Sequence, residues 1–120
     1  MRVHRQYWVK GPLSPSCFKD LPNPGSGMST DWSKYRTAAT TRFAKGEANA
    51  PNYGVVSLSV ERIRAISEPT RQQVLHDPVP DNRAHSLVVG DKPPRVRVLF
   101  LRECDCQVVI HCDDPVTNPE

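Results

Sequence analysis

A cluster of polar side chains lies between two short strand-like runs, in the segment 74–92 (VLHDPVPDNRAHSLVVGDK). Seven residues that could carry out chemistry fall within eleven positions: His76, Asp77, Asp81, Asn82, Arg83, His85 and Ser86. Imidazole and carboxylate groups together can transfer protons or bind a divalent metal, and an arginine beside them could hold a phosphate. We expect a binding site here, formed by His76, Asp81, Asn82, Arg83 and His85.

Pro78 and Pro80 make this loop stiff. Each proline fixes φ and removes an amide donor, so the loop has few conformations to lose when it folds. The polar residues also have a purely structural explanation, because Asp and Asn beside proline often cap turns. By the same reasoning, His85 could be a half-buried strand residue held by hydrogen bonds. Both interpretations stay open on the sequence alone.

A second group of potential ligands falls within nine residues near the C-terminus: Cys104, Cys106, His111 and Cys112. Thiolates and imidazoles bind structural zinc, but the spacing C-x-C-x4-H-C is not that of a standard zinc site. Adjacent residues of a strand point to opposite faces, which makes joint chelation by His111 and Cys112 awkward. We therefore expect reduced, buried thiols, with no bound metal and no cofactor.

Length and charge limit the class of protein. A chain of 120 residues fits one domain with one core, and the formal charge of +3 is too mild to indicate nucleic-acid binding. No apolar run is long enough to span a membrane, which predicts a cytoplasmic protein. Several basic residues could form one patch that suits a protein partner better than nucleic acid. They are Arg62, Arg64, Arg71, Arg83, Lys92, Arg95, Arg97 and Arg102.

The first half of the sequence predicts an arm followed by a helix. Residues 1–28 contain four of the prolines and read as an irregular arm, held down by Trp8 and Phe18. From Ser29 onward, possible N-cap residues precede an apolar stripe at helical spacing. We expect this stripe to be core, and its members are Trp32, Tyr35, Ala39 and Phe43.

The second half predicts strands around the polar loop. Residues 53–60 (YGVVSLSV) form the best strand, which we place centrally in a sheet, and Ser59 should cap a short helix after it. Runs 71–76 and 84–89 should be strands that flank the polar loop. In the second of them His85, Leu87 and Val89 share one face, which we expect to be the core side.

The last part of the chain contains one segment whose secondary structure is ambiguous. Residues 95–104 fit either a strand or a helix, and the helix is favoured because Pro93 and Pro94 suit a helix start after Asp91. Residues 107–112 would then be a last strand. We predict an α+β fold: a single small domain of three to five strands and two or three helices, with an irregular arm at 1–28, the domain at 29–112 and a flexible tail at 113–120.

Three stretches carry a resemblance to other proteins: S-x-D-W-S-K-Y-x-T at 29–37, Y-G-V-V-S-L-S-V at 53–60, and H-D-P-x-P-D-N-R-A-H-S-L-V-x-G at 76–90. The chain resembles small uncharacterised prokaryotic proteins across most of residues 29–104. The resemblance implies a bacterial intracellular protein from a mobile-element or defence-associated gene neighbourhood. It brings no catalytic residues with it and does not cover the cysteine-rich end.

These observations favour a small accessory protein that docks on a larger protein partner, in a prokaryotic defence or toxin–antitoxin context. A small domain with one polar loop more often presents a surface than encloses a substrate. The alternative is a phosphate-directed hydrolase or transferase that uses His76 and His85. An enzyme needs a concave pocket in which both histidines converge, whereas an accessory protein needs an exposed patch of interface size.

Overall fold

One antiparallel sheet of six strands carries the fold. The structure, a computed structural model, describes residues 1–9, 13–22, 27–42, 44 and 46–108. In chain order the strands are β1 (Arg2–Trp8), β2 (Met28–Trp32), β3 (Tyr53–Ser59), β4 (Gln73–His76), β5 (His85–Val89) and β6 (Asp105–Val108). In space their order is β4-β5-β2-β1-β3-β6. Short 3₁₀ turns at Pro15–Cys17 and Glu47–Asn52 connect parts of the sheet.

Three α-helices accompany the sheet: α1 (Ala38–Arg42), α2 (Val60–Arg64) and α3 (Pro94–Glu103). The predicted α+β class, with a single domain and up to three helices, is confirmed. The sheet has one strand more than the predicted maximum of five, because the N-terminal segment supplies β1.

The predicted irregular arm at 1–28 is wrong at its beginning. β1 pairs with β3 along its whole length, from Arg2 opposite Ser59 to Trp8 opposite Tyr53. The sequence RVHRQYW has the alternation of a strand, and its Val3 and Tyr7 are buried. The first strand therefore belongs to the domain that was expected to begin at residue 29.

The helix predicted from Ser29 onward is also wrong, because residues 28–32 form β2 between β1 and β5. A buried sheet position outweighs the N-cap preference of Ser29 and its neighbours. The helix that follows is shorter than predicted and covers only Ala38–Arg42. The predicted core stripe is not formed: Trp32 and Tyr35 are half-buried, Ala39 is exposed, and Phe43 lies outside the described residues.

The second half follows the prediction closely. β3 is an interior strand with five consecutive buried residues, and the Ser59 hydroxyl accepts a hydrogen bond from the Arg62 amide at the start of α2. The segment 95–104 is helical as favoured, although Pro93 rather than Asp91 occupies the N-cap position. β6 begins at Asp105, two residues earlier than predicted. Residues 109–120, including the predicted tail, lie outside the described residues.

The core lies on one face of the sheet, under α2 and α3. Val56 and Leu58 of β3 pack there with Ile63 of α2 and Phe100 of α3. Phe18, predicted as an anchor, is fully buried in this core. Trp8, the other predicted anchor, is 45% exposed. The opposite face is partly covered by α1, whose backbone carbonyls at Thr41 and Arg42 accept hydrogen bonds from the Gln6 side chain of β1. That face also carries the polar residues of β1, β2 and β5.

The faces of β5 are opposite to those predicted. Ser86 and Val88 are buried on the core side, whereas His85, Leu87 and Val89 are only half-buried on the other side. Ser86 is tolerated on the core side because its hydroxyl donates to the Ala84 carbonyl (3.1 Å), and its own carbonyl accepts from the Thr30 hydroxyl of β2 (3.1 Å). His85 consequently points away from the core.

Candidate functional site

The face of the sheet opposite the core carries a row of polar residues. His4 lies opposite Asp31 across β1 and β2, and Asp31 lies opposite His85 across β2 and β5. Ser29 is two residues from Asp31 along β2 and so shares this face. These four residues line a cavity of about 610 Å³. That volume lies within the range of about 300–1,000 Å³ found for small-molecule sites.

The cavity has room because β1 and β2 pair only near the start of β1 and the end of β2. Within the described part of the chain the two strands pair at Val3 and His4. Beyond that point the Arg5 guanidinium donates to the backbone carbonyls of Ser29 (2.9 Å) and Cys17 (3.1 Å). Burial lowers the pKa of Arg5, but a guanidinium keeps its charge in proteins. A fixed positive charge therefore lies behind the backbone of Ser29.

His85 connects a serine to a carboxylate at the wall of this cavity. Its Nδ1 lies 2.9 Å from the backbone oxygen of Asp77 and 3.2 Å from the Asp77 carboxylate oxygen Oδ2. Both oxygens are acceptors, so Nδ1 carries the hydrogen. In the neutral ring Nε2 is then an acceptor, and the Ser29 hydroxyl 3.0 Å away donates to it. This tautomer is the one in which His85 can accept the Ser29 proton.

The proline loop fixes the position of Asp77 relative to His85. The Asp77 amide donates to the His85 carbonyl (2.9 Å), which continues the β4–β5 ladder by one residue. Further along the loop, Val79 and Asn82 exchange two backbone hydrogen bonds of 3.1 and 3.0 Å. The predicted stiffness of the loop thus has a structural basis, and it keeps the carboxylate beside the imidazole.

Asp31 joins the loop, α1 and β2 beneath the cavity. Its carboxylate is buried and accepts hydrogen bonds from Asn82 Nδ2 (2.7 Å), Thr41 Oγ1 (2.9 Å) and Arg36 Nη1 (3.2 Å). Asn82 in turn accepts a hydrogen bond from the Ala84 amide (3.0 Å). Three donors satisfy the buried charge, so Asp31 holds the site together rather than serving as a free base.

His4 is the second histidine of the cavity. It is only 6% exposed, and its Nδ1 atom is buried with no hydrogen-bond partner among the described residues. Burial lowers the pKa of His4, and the nearby Asp31 carboxylate only partly opposes this effect. Folding therefore favours the neutral form of this ring.

The structure brings together two of the five predicted binding residues. His85 and Asn82 line the cavity, and Asn82 does so as a positioning residue through Asp31. His76, Asp81 and Arg83 are exposed and are not among the described residues that line it. The two histidines expected to act together therefore do not converge.

His76 and Arg83 instead belong to a separate surface group, here called the aromatic cluster, with Trp32, Tyr35 and Lys34. The His76 ring stacks on Tyr35 with 5.7 Å between centroids, and the Arg83 guanidinium lies 4.2 Å from the centre of the Tyr35 ring. His76 Nε2 also donates to the Arg83 carbonyl (2.6 Å). The hydrogen bond from Arg83 lowers the pKa of Tyr35.

Sequence reasoning missed Ser29, Asp31 and His4. Ser29 and Asp31 were interpreted as helix caps, and His4 fell in the segment expected to be irregular. The alternation in MSTDW, and the weaker alternation in RVHRQYW, was the available signal, since each places mainly polar residues on one face. The pairing of β2 with β1 and with β5 depends on long-range contacts that the sequence pattern does not encode.

The remaining predicted groups are placed as follows. The described residues contain no cluster of three or more potential metal ligands, but His111, Cys112 and the Cys106 side chain lie outside the description, so the absence of zinc stays a prediction. Among the described residues, Cys17 and Cys104 form no disulfide. The basic residues make separate local contacts: Arg62 pairs with Glu103, and Lys92 pairs with Asp20.

Comparison with other proteins adds no further information. No protein-family model, no curated protein and no solved structure matches this chain. Among the described residues, no helix combines the length and the apolarity needed to cross a bilayer.

Proposed function

We propose that the protein is a small hydrolase that cleaves an ester bond, with Ser29 as the nucleophile and His85 as the general base. The observation that carries the proposal is the chain of contacts from Ser29 Oγ to His85 Nε2 (3.0 Å) and from His85 Nδ1 to Asp77 (2.9 and 3.2 Å). Nucleophile, base and orienting carboxylate each lie within hydrogen-bond reach of the next, as activation of a serine requires.

The first half of the reaction forms an acyl-serine. Ser29 Oγ attacks the ester carbonyl carbon while His85 Nε2 takes the hydroxyl proton. The Asp77 carboxylate stabilises the resulting imidazolium through Nδ1. When the tetrahedral intermediate collapses, the bond to the leaving oxygen breaks, and His85 gives its proton to that oxygen to release the alcohol.

The second half of the reaction restores the serine. A water molecule attacks the acyl-serine carbonyl carbon, and His85 Nε2 takes one of its protons. Collapse of the second intermediate breaks the bond to Ser29 Oγ, which receives the proton from His85. The products are one carboxylic acid and one alcohol for each ester and water consumed, and the protein is unchanged.

The polar contacts of the cavity favour an ester over a phosphate. A phosphate needs free arginine or lysine groups to balance its charge. Of the described cations that line the cavity, Arg5 is engaged with backbone carbonyls and Arg36 lies 3.2 Å from the Asp31 carboxylate. Lys19 alone is left, and its single positive charge does not balance the two negative charges of a phosphate group. The phosphate-directed reaction that used His76 is further disfavoured by the position of His76 in the aromatic cluster.

Labelling with a fluorophosphonate probe tests this proposal directly, because such probes react covalently with activated serines. We expect the intact protein to gain one probe mass on the peptide that contains Ser29, and to hydrolyse p-nitrophenyl acetate. Ser29→Ala and His85→Gln should each lose both labelling and hydrolysis. Ser33→Ala is the matched control, because Ser33 is an exposed serine close by in sequence.

Two results would overturn the proposal. One is a folded wild-type protein that neither takes up the probe nor hydrolyses the ester. The other is hydrolysis that survives in Ser29→Ala with an unchanged kcat/KM, since that rate would come from other groups.

A second function, docking on a larger protein partner in a prokaryotic defence or toxin–antitoxin context, is supported by the aromatic cluster. Exposed aromatic and arginine side chains are enriched at protein interfaces. A pull-down from the host should then recover a partner that is lost with Tyr35→Ala and Arg83→Ala but retained with Ser29→Ala. Equal recovery with all three variants would exclude the aromatic cluster as the docking surface.

A further inference from the structure

We infer that the Ser29 cavity is specific for esters whose acyl part carries both an aromatic ring and an anionic group. This inference rests on the proposed hydrolase function and adds the substrate class. It depends on two features of the cavity wall: an aromatic pair formed by Trp8 and Tyr53, and an unpaired ammonium group on Lys19.

The aromatic pair lies on the wall of the cavity that Ser29 lines. Trp8 and Tyr53 face each other across β1 and β3, and their rings meet edge to face with 5.2 Å between centroids. Both residues line the same cavity as Ser29. A large aromatic side chain that is 45% exposed on the wall of an otherwise polar cavity offers a surface for another ring.

The strands place Ser29 and Trp8 on the same face of the sheet. His4 is opposite Asp31, and side chains at every second position of a strand share a face. Trp8 therefore shares the face of His4, and Ser29 shares the face of Asp31. Because both residues line the cavity, an aromatic acyl group whose carbonyl carbon lies at Ser29 Oγ can extend toward the Trp8 ring.

The charges of the cavity favour an anion. The described residues that line it include three cations, Arg5, Lys19 and Arg36, and two carboxylates, Asp20 and Asp31. Asp31 is paired with Arg36, and Asp20 lies 2.5 Å from Lys92 Nζ. Asp20 also stabilises the charge of Arg5, so both carboxylates are engaged with other cations and Lys19 is left without one.

Lys19 is the cation that a ligand can reach. Arg5 is largely buried and points at carbonyl oxygens, whereas Lys19 is exposed at the cavity wall. Within the described part of the chain its ammonium has no side-chain partner, and its backbone carbonyl alone is engaged, by Arg5 (3.4 Å). A carboxylate on the distal side of an aromatic acyl group would supply the missing partner.

Three p-nitrophenyl esters separate the two features, because they share one leaving group: acetate, benzoate and 4-carboxybenzoate. For the wild-type protein we expect kcat/KM to rise from acetate to benzoate, and to rise again by about fivefold for 4-carboxybenzoate, as a partly exposed ion pair allows. Lys19→Gln should remove the second rise, so that the kcat/KM values for 4-carboxybenzoate and benzoate become equal. Trp8→Leu should remove the first rise, so that the values for benzoate and acetate become equal.

Lys34→Gln is the control, since Lys34 is an exposed lysine of the aromatic cluster. It should preserve all three rates. If the wild-type protein cleaves the acetate but shows no preference among the three esters, the substrate class is wrong while the hydrolase proposal stands. If none of the three is cleaved and Ser29 is not labelled by the fluorophosphonate, the hydrolase proposal itself fails and the substrate class fails with it.

Discussion

Ser29 Oγ and His85 Nε2 lie 3.0 Å apart, although 56 residues separate them in the chain. The contact forms because β2 and β5 are neighbours, with Asp31 paired to His85 and Ser29 paired to Leu87. The serine and the histidine thus come from rigid strands, and only the carboxylate partner of the histidine comes from a loop. Preorganisation of this kind is what a catalytic hydrogen bond requires.

The first prediction concerns His85. We expect His85→Gln to lower kcat/KM for ester hydrolysis by about 10²–10⁴-fold, because the general base is lost. The change should cost only about 1–2 kcal/mol of the free energy of unfolding, since glutamine can replace part of the hydrogen bonding. His76→Gln should leave kcat/KM nearly unchanged. Urea melts at the assay temperature measure the folded fraction of His85→Gln. If activity falls only in proportion to that fraction, the role of His85 is structural.

The second prediction concerns Asp31, whose buried carboxylate accepts from three side chains. Asp31→Asn places an amide NH2 group against side chains that themselves donate hydrogen bonds. It also removes the negative charge that pairs with Arg36. We expect a loss of about 2–4 kcal/mol in the free energy of unfolding from urea melts. Asp81→Asn changes an exposed carboxylate of the same loop and should cost less than about 0.5 kcal/mol. Equal, small losses in both variants would show that the hydrogen bonds of Asp31 contribute little to the free energy of unfolding.

Sequence reasoning located the loop correctly and misplaced the rest of the site. The prolines and the flanking strands are local signals, so the stiff loop and the position of Asn82 could be predicted. The face of His85 could not, because both faces of β5 contain residues able to pack: Leu87 and Val89 on one side, Ala84 and Val88 on the other. The packing of α2 and α3 on the Val88 side decides between them, and this is a tertiary effect.

The N-terminal segment was misread for a similar reason. Prolines at 12, 15, 22 and 24 indicate irregular chain, and they outweighed the weak alternation of RVHRQYW. β1 becomes an interior strand because β2 and β3 pair with its two edges. Such pairings join residues up to 57 positions apart, such as Arg2 and Ser59. No local pattern specifies them.

The third prediction concerns the close approach of Gly54 to Tyr7 between β3 and β1. A Cβ atom at Gly54 would lie 2.6 Å from the Tyr7 ring. Gly54→Ala should therefore lower the free energy of unfolding by about 1–3 kcal/mol, because a buried ring must move. In a double-mutant cycle, Tyr7→Leu should remove most of the cost of Gly54→Ala. Additive losses would place the strain elsewhere.

The fourth prediction concerns the reactivity of Cys104. Burial raises the pKa of its thiol to about 11, and only the thiolate reacts with alkylating agents. At pH 8 we expect iodoacetamide to modify Cys104 about 100-fold more slowly in the folded protein than in urea, where the ordinary pKa is 9.0. Mass spectrometry of the Cys104 peptide measures both rates. Equal rates would mean that the thiol is not shielded by the fold.

The last prediction concerns the pH dependence of stability through His4. Burial lowers the pKa of His4 below its ordinary value of 6.5, so the unfolded chain binds a proton at a higher pH than the folded protein does. Above about pH 7.5, one unit above the ordinary pKa, both states are almost wholly neutral at this residue and its contribution is nearly constant. As the pH falls below that value, the unfolded state gains the proton first and the free energy of unfolding decreases.

The size of this effect has an upper limit of about 1.4 kcal/mol per pH unit, the slope for one proton. Urea melts of the wild-type protein and of His4→Gln between pH 8 and pH 5 measure it. The groups that act on His4, Asp31 and Arg2, are present in both proteins, so the difference between the two curves isolates the imidazole. We expect the wild-type protein to lose more stability than His4→Gln as the pH falls below 6.5. Parallel curves would mean that the pKa of His4 is the same in the folded and unfolded states. The fold would then not disfavour protonation of the buried ring.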